Sequence, residues 1–235
     1  MTVKQARVLV TIPHPDDAES RMAGTVARWT CEGKEVIYIV CTNGDKGTSD
    51  PNMKPEELAG IREQEQLAAA KVLGVREVVF LRHPDQSLED TSEFRKEIVR
   101  LIRMYRPDTV VTIDPFYLGY LNHRDHRITA QVTLDAIYPS AGGIPTSLDL
   151  LGQELQPHKV KEVLLCGAGD PNYYVDITDT IDVKITALRC HESQVGERLE
   201  LEEWMRRRAR TSAEGQDYEL AEAFRREEIK WPLVP

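Results

Sequence analysis

Apolar positions in this chain fall into short, nearly continuous runs separated by longer stretches with helical spacing. The runs cover residues 6–12 (ARVLVTI), 35–41 (EVIYIVC), 76–81 (REVVFL), 108–113 (DTVVTI), 161–166 (KEVLLC) and 173–177 (YYVDI). Runs of this length, rich in β-branched residues and without polar alternation, predict strands buried on both faces. Between them the spacing predicts helices over 18–29, 55–73, 92–105, 127–138 and 180–191. Pro55 suits a first helical turn, Glu56 and Glu57 meet the positive end of that helix dipole, and Gly74 stops the helix. The alternation predicts an α/β fold: a Rossmann-like doubly wound, mostly parallel sheet with helices on both faces.

The chain has 235 residues, enough for one α/β domain with a sizeable core, and residues 1–235 are read as a single domain. Residues 139–157 (PSAGGIPTSLDLLGQELQP) are too long for a simple connection and are read as an excursion over the crevice or a subunit contact. From about residue 195 a charged helical tail is expected, with Arg206-Arg207-Arg208 on a solvated face. No apolar run approaches the length of a membrane span, and MTVKQARVLV lacks the features of a signal peptide, so the expected location is the cytoplasm. A net charge of −9 argues against nucleic acid or an anionic membrane as partner and leaves a small-molecule substrate; an anionic one would need local positive charge. Cys31, Cys41, Cys166 and Cys190 form no CxxC pair, which disfavours a thiolate zinc site.

The candidate chemistry gathers at two turns. His14-Pro15-Asp16-Asp17 lies where the first strand ends and the first helix begins, with Pro13 and Pro15 stiffening the backbone on either side of His14. Two adjacent carboxylates repel unless a proton or a cation neutralises them, and a divalent metal resolves the conflict. One Asp there could simply cap the helix; a second Asp and a rigid His exceed what a cap needs. His123-Arg124-Asp125-His126 follows the fourth strand and loop 114–122, again at a strand's carboxyl end, where open α/β sheets bind their ligands. Once a helical turn begins there, His123 and His126 share a face, and Asp125 can orient an imidazole by accepting its N–H. The two turns together thus offer imidazole and carboxylate donors to a divalent ion. The same donors describe the facial triad of ferrous oxygenases, so Fe2+ is the alternative ion. The residues alone do not choose between Asp16 and Asp17, or between His123 and His126, as ligands.

Taken together, these stretches resemble the LmbE/PIG-L family of zinc-dependent N-deacetylases. The resemblance extends to Ala18-Glu19, Thr42-Asn43-Gly44-Asp45, Arg62 with Glu65, Leu73-Gly74-Val75, Asp85, and Lys184 through His191-x-Ser193-Gln194. It implies that His14, Asp17 and His126 bind the metal, that Asp16 is the general base, and that His123, steadied by Asp125, stabilises the oxyanion or protonates the leaving amine. It further implies hydrolysis of an N-acetyl group, with an N-acetylglucosaminyl conjugate as the substrate. An amidase of another small amide or thiol conjugate is the runner-up; a non-catalytic metal-binding module is a third reading. Arg62, Asp45 and Asp85 are candidate substrate contacts. Against these stand an ion pair from Arg62 to Glu65 and turn or cap roles for the two aspartates. His191 is read as structural, and a homo-oligomer is compatible with the excursion and tail. Two departures stand out: Met22-Ala23-Gly24-Thr25 replaces the family's usual glycine pair, and Arg21 puts a bulky charge near the mouth. Stoichiometric iron and oxygen consumption by the purified protein select the oxygenase chemistry; amine release from N-acetyl sugars by zinc-loaded protein selects the hydrolase.

Overall fold

The computed structural model describes residues 6–116, 123–143, 155–196 and 198–231. Its frame is a seven-stranded sheet in the order β3-β2-β1-β4-β5-β7-β6. Strands β1 (Arg7–Ile12), β2 (Glu35–Thr42), β3 (Glu77–His83), β4 (Thr109–Ile113) and β5 (Glu162–Cys166) run parallel. Helices α1 (Asp17–Cys31), α2 (Pro55–Leu73), α3 (Ser92–Tyr105) and α4 (Arg124–Asp135) connect or follow them.

The strands alternate their apolar side chains between two cores. Val8, Val10 and Ile12 pack on one face with Met22, Ala23 and Val26 of α1. Leu9 packs on the other with Ile98 and Ile102 of α3 and Val132 of α4. This alternation is why the runs read as continuously apolar: every residue of a strand covered on both faces is inside. Helix α3 occupies the predicted span, with the Thr91 side chain accepting from Phe94 N, and α2 ends at Gly74, which takes the left-handed φ of 71° that glycine tolerates.

Two expectations need correction. The chain beyond residue 195 is not simply a helical tail. After β6 (Tyr173–Asp176) come α5 (Ile181–Arg189), α6 (Glu192–Val195) and α7 (Leu201–Ala213), and then β7 (Ala221–Glu228) inserts antiparallel between β5 and β6. Residues AEAFRREE read as helical because Ala, Glu and Arg are good helix formers. Burial of Ala221 and Phe224 and the ladder to β5 and β6 override that propensity. The fourth helix of the sequence reading starts at Arg124 rather than 127 and gives way at Ala136–Ala141 to a π-helical turn containing Pro139. Arg103, buried at 2% exposure, donates to the carbonyls of Ser140, Ala141, Gly143 and Leu155, tying together the two described ends of the predicted excursion. Residues 144–154 of that excursion lie outside the described residues. Arg206 does lie on an outer helix face, paired with Asp182 and Glu202.

The site's placement follows from strand order. β1 sits between β2 and β4, so the chain leaves the end of β1 toward one half of the sheet while β4 starts the other half, and the crevice opens between them. The first motif turn leaves the carboxyl end of β1, and the second opens α4, which packs on the same sheet. Among the described residues no helix is long and apolar enough to cross a membrane. Replacing Phe224, fully buried in β7, with alanine is expected to cost about 3–5 kcal/mol in denaturant unfolding, since the strand is part of the core and not an appendage.

Candidate metal centre

The turn after β1 is built to hold Asp16 and Asp17 in different surroundings. Asp17 begins α1, and its Oδ2 accepts from His14 N at 3.1 Å, folding the turn back on itself. Asp16, just before it, sits at φ 97° and ψ −21°, a left-handed conformation that costs a non-glycine residue about 1–3 kcal/mol. Surrounding groups hold it there. Arg62, 3% exposed, donates to Pro15 O at 2.6 Å and Gly44 O at 2.9 Å and lies 3.4 Å from Asp16 Oδ2. Gln66, one helical turn further on, accepts from Asp16 N at 3.2 Å through Oε1 and donates to Glu19 Oε1 at 3.0 Å. Glu19 in turn lies 3.2 Å from His191 Nε2, all three side chains fully buried. Gly44 and Gly47 leave room for this clamp, because a Cβ on either would meet Arg62 Nη1 at 2.6 or 2.4 Å.

His14, His123 and His126 converge over the crevice. Their ring centroids are 4.9 Å apart for His14 and His123, 5.3 Å for His14 and His126, and 5.5 Å for His123 and His126. The Asp17 carboxylate spans two of them: His14 Nδ1 lies 3.2 Å from Oδ2, and His126 Nε2 lies 3.3 Å from Oδ1. On the far nitrogen, His14 Nε2 lies 3.1 Å from Asp85 Oδ1 and 3.3 Å from Asp125 Oδ2. Asp125 is fixed in its own right, accepting from Gln86 N at 2.6 Å and Leu88 N at 3.3 Å with no exposure to solvent. Its backbone N donates to His123 Nδ1 at 3.1 Å, which makes His123 the cap of α4. A neutral His123 therefore carries its proton on Nε2.

The electrostatics follow. Burial opposes a charge on His14, but its hydrogen bonds to Asp125, Asp17 and Asp85 outweigh it and push its pKa up to about 11. Burial also opposes ionisation of Asp17, yet His126 and His14 hold it well below the usual carboxylate range. Asp85, despite its burial, is drawn down to about 2 by His14 and the Lys46 backbone. Asp16 moves the other way: burial and the adjacent Asp17 charge raise it to about 6 against the pull of Arg62. Burial and the nearby His14 charge lower His123. A ring encircled by three carboxylates is a site that demands positive charge.

The imidazole and carboxylate groups gathered here could hold a metal ion. Bonds of about 2.0–2.1 Å in tetrahedral geometry place donor atoms about 3.3 Å apart, and the Asp17 oxygens stand at 3.2 and 3.3 Å from the two imidazole nitrogens. Among the described residues, two groupings of side chains have every donor atom within 4.8 Å of the others: the three imidazoles, and His14 with Asp85, His123 and Asp125. The second uses the face of His14 opposite Asp17 and an Asp125 oxygen that also accepts from Gln86 N. Cys41 and Cys166 are buried, and burial pushes both thiols up, Cys166 to about 12, so neither offers a thiolate.

The candidate substrate contacts divide. Asp85, 4% exposed, is turned to His14 and Lys46, and Arg62 is turned inward to the clamp. The alternative pair from Arg62 to Glu65 does not form; Glu65 accepts from Ser193 N and Oγ at 2.6 Å each. Asp45 keeps a buried Oδ1 with no hydrogen-bond partner among the described residues. Sequence reasoning read His191 as structural, which its burial against Glu19 fits, but did not pair it with Glu19 or give Gln66 a role; the signal for Gln66 was its place four residues from Arg62 on the same face of α2.

A model of the family described as PIG-L, GlcNAc-PI de-N-acetylase, matches residues 9–137. Diacetylchitobiose deacetylase of Thermococcus kodakarensis is 39% identical over 193 residues, covering 81% of this chain and 71% of that protein. The structure of N,N'-diacetylchitobiose deacetylase from Pyrococcus horikoshii superposes with a TM-score of 0.90 at 32% identity, over 95% of this chain and 84% of that one. GalB, a 4-carboxy-2-hydroxymuconate hydratase from Pseudomonas putida, superposes at 0.77 over 98% and 99% of the two chains with 17% identity, a likeness of fold alone. Zinc at a free concentration about 100 times its Kd is expected to stabilise the protein by about 2.7 kcal/mol in chemical unfolding, and to leave His126→Ala almost unaffected.

Proposed function

The chain belongs to the PIG-L family of GlcNAc-PI de-N-acetylases, and from that premise we propose that it hydrolyses the N-acetyl group of a small N-acetylglucosamine conjugate at a zinc centre held by His14, Asp17 and His126. The observation that carries the reading is the Asp17 carboxylate spanning His14 and His126 beside a second, separately held carboxylate, Asp16. Bound there, zinc supplies a water with a pKa near 7 and a Lewis acid for the amide carbonyl. Two imidazoles and a carboxylate would also suit ferrous iron; zinc is preferred because the family's reaction is hydrolysis, which needs no redox change.

The remaining work falls to the chain's own residues. Asp16, with its pKa raised to about 6, is a base strong enough to take the proton of the attacking water and, once protonated, an acid strong enough to return it to the leaving amine. The strained turn, held by Arg62 and Gln66, fixes the direction of that carboxylate. His123, lowered in pKa and capped at Nδ1 by Asp125 N, is neutral with its Nε2 proton available to the developing oxyanion. On this reading Asp16 carries the proton and His123 donates the hydrogen bond, a division supported by their opposite pKa directions. Asp85 and Asp125 orient His14 by accepting from its Nε2 and keep Nδ1 for the metal. Asp45, with its unpartnered Oδ1, is the best-placed of the three predicted contacts to receive a sugar hydroxyl.

The test is acetate release by zinc-loaded protein from a panel of N-acetyl sugars and non-sugar amides, with oxygen uptake monitored. Release from N-acetylglucosamine conjugates without oxygen uptake is expected; release only from non-sugar amides would replace the substrate assignment. Asp16→Asn is expected to keep zinc while kcat falls by about 10²–10⁴-fold, and wild-type kcat/KM is expected to decline as pH drops below about 6, where Asp16 becomes protonated. Wild-type turnover by Asp16→Asn would remove the base assignment.

A further inference from the structure

His191 has no exposure to solvent and lies outside the metal centre, and the chemistry proposed above gives it no task. It stands at the start of α6, and neither of its ring nitrogens has a hydrogen-bond partner among the described residues. The polar atom it does approach is Glu19 Oε2, 3.2 Å from Nε2 and itself without a hydrogen bond. Polar atoms shut away from water are costly to leave alone, so the imidazole and the carboxylate hold one another in place.

Glu19 passes this constraint on. Its other oxygen, Oε1, accepts from Gln66 Nε2 at 3.0 Å, and that bond decides which way round the Gln66 amide sits. Turned over, the amide would set its oxygen against a carboxylate and its NH2 against the Asp16 N–H. As held, Gln66 Oε1 accepts from Asp16 N at 3.2 Å. Asp16 is where this matters, because a φ of 97° is a conformation that only fixed neighbours maintain. The stretch that begins at His191 also grips the rest of the turn's support. Ser193 donates to Glu65 from N and Oγ at 2.6 Å each, and Gln194 Nε2 donates to Gly47 O at 3.0 Å. Glu65 precedes Gln66 on α2, and Gly47 lies against the Arg62 guanidinium. Residues 191–194 therefore reach the Glu19 link, helix α2 and the loop at Gly47 together.

We propose that His191 is a positioning residue for the hydrolysis: acting through Glu19 and Gln66, it holds the Asp16 peptide so that the Asp16 carboxylate keeps one direction. The inference rests on the reading of Asp16 as the base and extends it to a side chain outside the metal centre. Three contacts carry the link, His191 to Glu19, Glu19 to Gln66 and Gln66 to Asp16, and breaking any one of them releases the same peptide.

His191→Gln and His191→Asn separate this role from packing alone. Both put an amide where the imidazole was, but only glutamine is long enough to bring a nitrogen to the place of Nε2. In zinc-loaded protein assayed on N-acetylglucosamine and N,N'-diacetylchitobiose, His191→Asn is expected to lower kcat by about 10–10²-fold while KM and the zinc Kd stay unchanged. His191→Gln is expected to restore most of that loss. Gln66→Met is expected to cost as much as His191→Asn, and the double variant no more than either, because both act through one chain of contacts. The Asp16 amide gives a readout that needs no turnover: its hydrogen exchange, measured against that of Leu9 in β1, is expected to quicken about tenfold in His191→Asn and not in His191→Gln. Wild-type kcat in folded His191→Asn protein overturns the proposal, and so do losses that multiply in the double variant or an Asp16 exchange rate indifferent to both substitutions. Should His191→Asn not fold, kcat and Asp16 exchange in Gln66→Met, with and without His191→Gln, decide in the same way. If the wild-type protein releases no acetate from any N-acetyl sugar, the deacetylase reading fails, and Asp16 exchange alone decides the chain of contacts.

Discussion

A carboxylate held between two imidazoles is the interaction on which the rest of this molecule depends. Asp17 reaches His14 with one oxygen and His126 with the other, and so joins the turn after β1 to the helix after β4. Asp85 and Asp125 add their charge on the opposite side of His14. Three carboxylates around one imidazole are tolerable only with a compensating cation. In the metal-free protein a proton retained by His14 to about pH 11 fills that role. A divalent ion held, as proposed, by His14, Asp17 and His126 would supply that charge and could also activate water. The pull toward a cation and the capacity for chemistry are thus one electrostatic fact.

The fold serves this contact by bringing two turns together on rigid supports. β1 and β4 are neighbours in a parallel sheet covered on both faces; the first turn stands at the end of β1, and the second opens α4, whose Val132 packs in the same core as Leu9 of β1. The strained Asp16 is affordable because Arg62 and Gln66 hold its backbone from a packed helix, and because Gln66 is itself anchored by the buried Glu19. Two adjacent aspartates acquire opposite tendencies in this way. Asp17 faces imidazoles and stays ionised, while Asp16 is buried against its neighbour's charge and titrates closer to neutrality.

Much of this was legible in the sequence, for reasons that also explain the remainder. The parallel core was readable because β-branched runs such as EVIYIVC carry both faces of a buried strand, and α3 because its cap and amphipathic spacing agree. Strand β7 was not, since its outer half RREE is exposed and charged and its strand state is imposed by β5 and β6. The His and Asp turns stood out through composition and position. The partner of Asp125 did not: local spacing suggested an imidazole of its own helix, whereas the carboxylate reaches His14, distant in sequence. Arg62 and Asp85 were singled out as contacts for a ligand, and both turned inward to support the turn and the ring. Sequence spacing reports which residues share an element; which way a polar side chain turns depends on the buried groups that other elements bring to it.

The central claim is that one ion sits between the two turns on the Asp17 side of His14. Anomalous-difference diffraction at the zinc edge, from crystals of zinc-loaded protein, tests it most directly. A single peak about 2.0–2.1 Å from His14 Nδ1, an Asp17 oxygen and His126 Nε2 is the predicted result. A peak on the other side of the ring, among His14 Nε2, Asp85 and Asp125, or one that leaves His126 unbound, would contradict it.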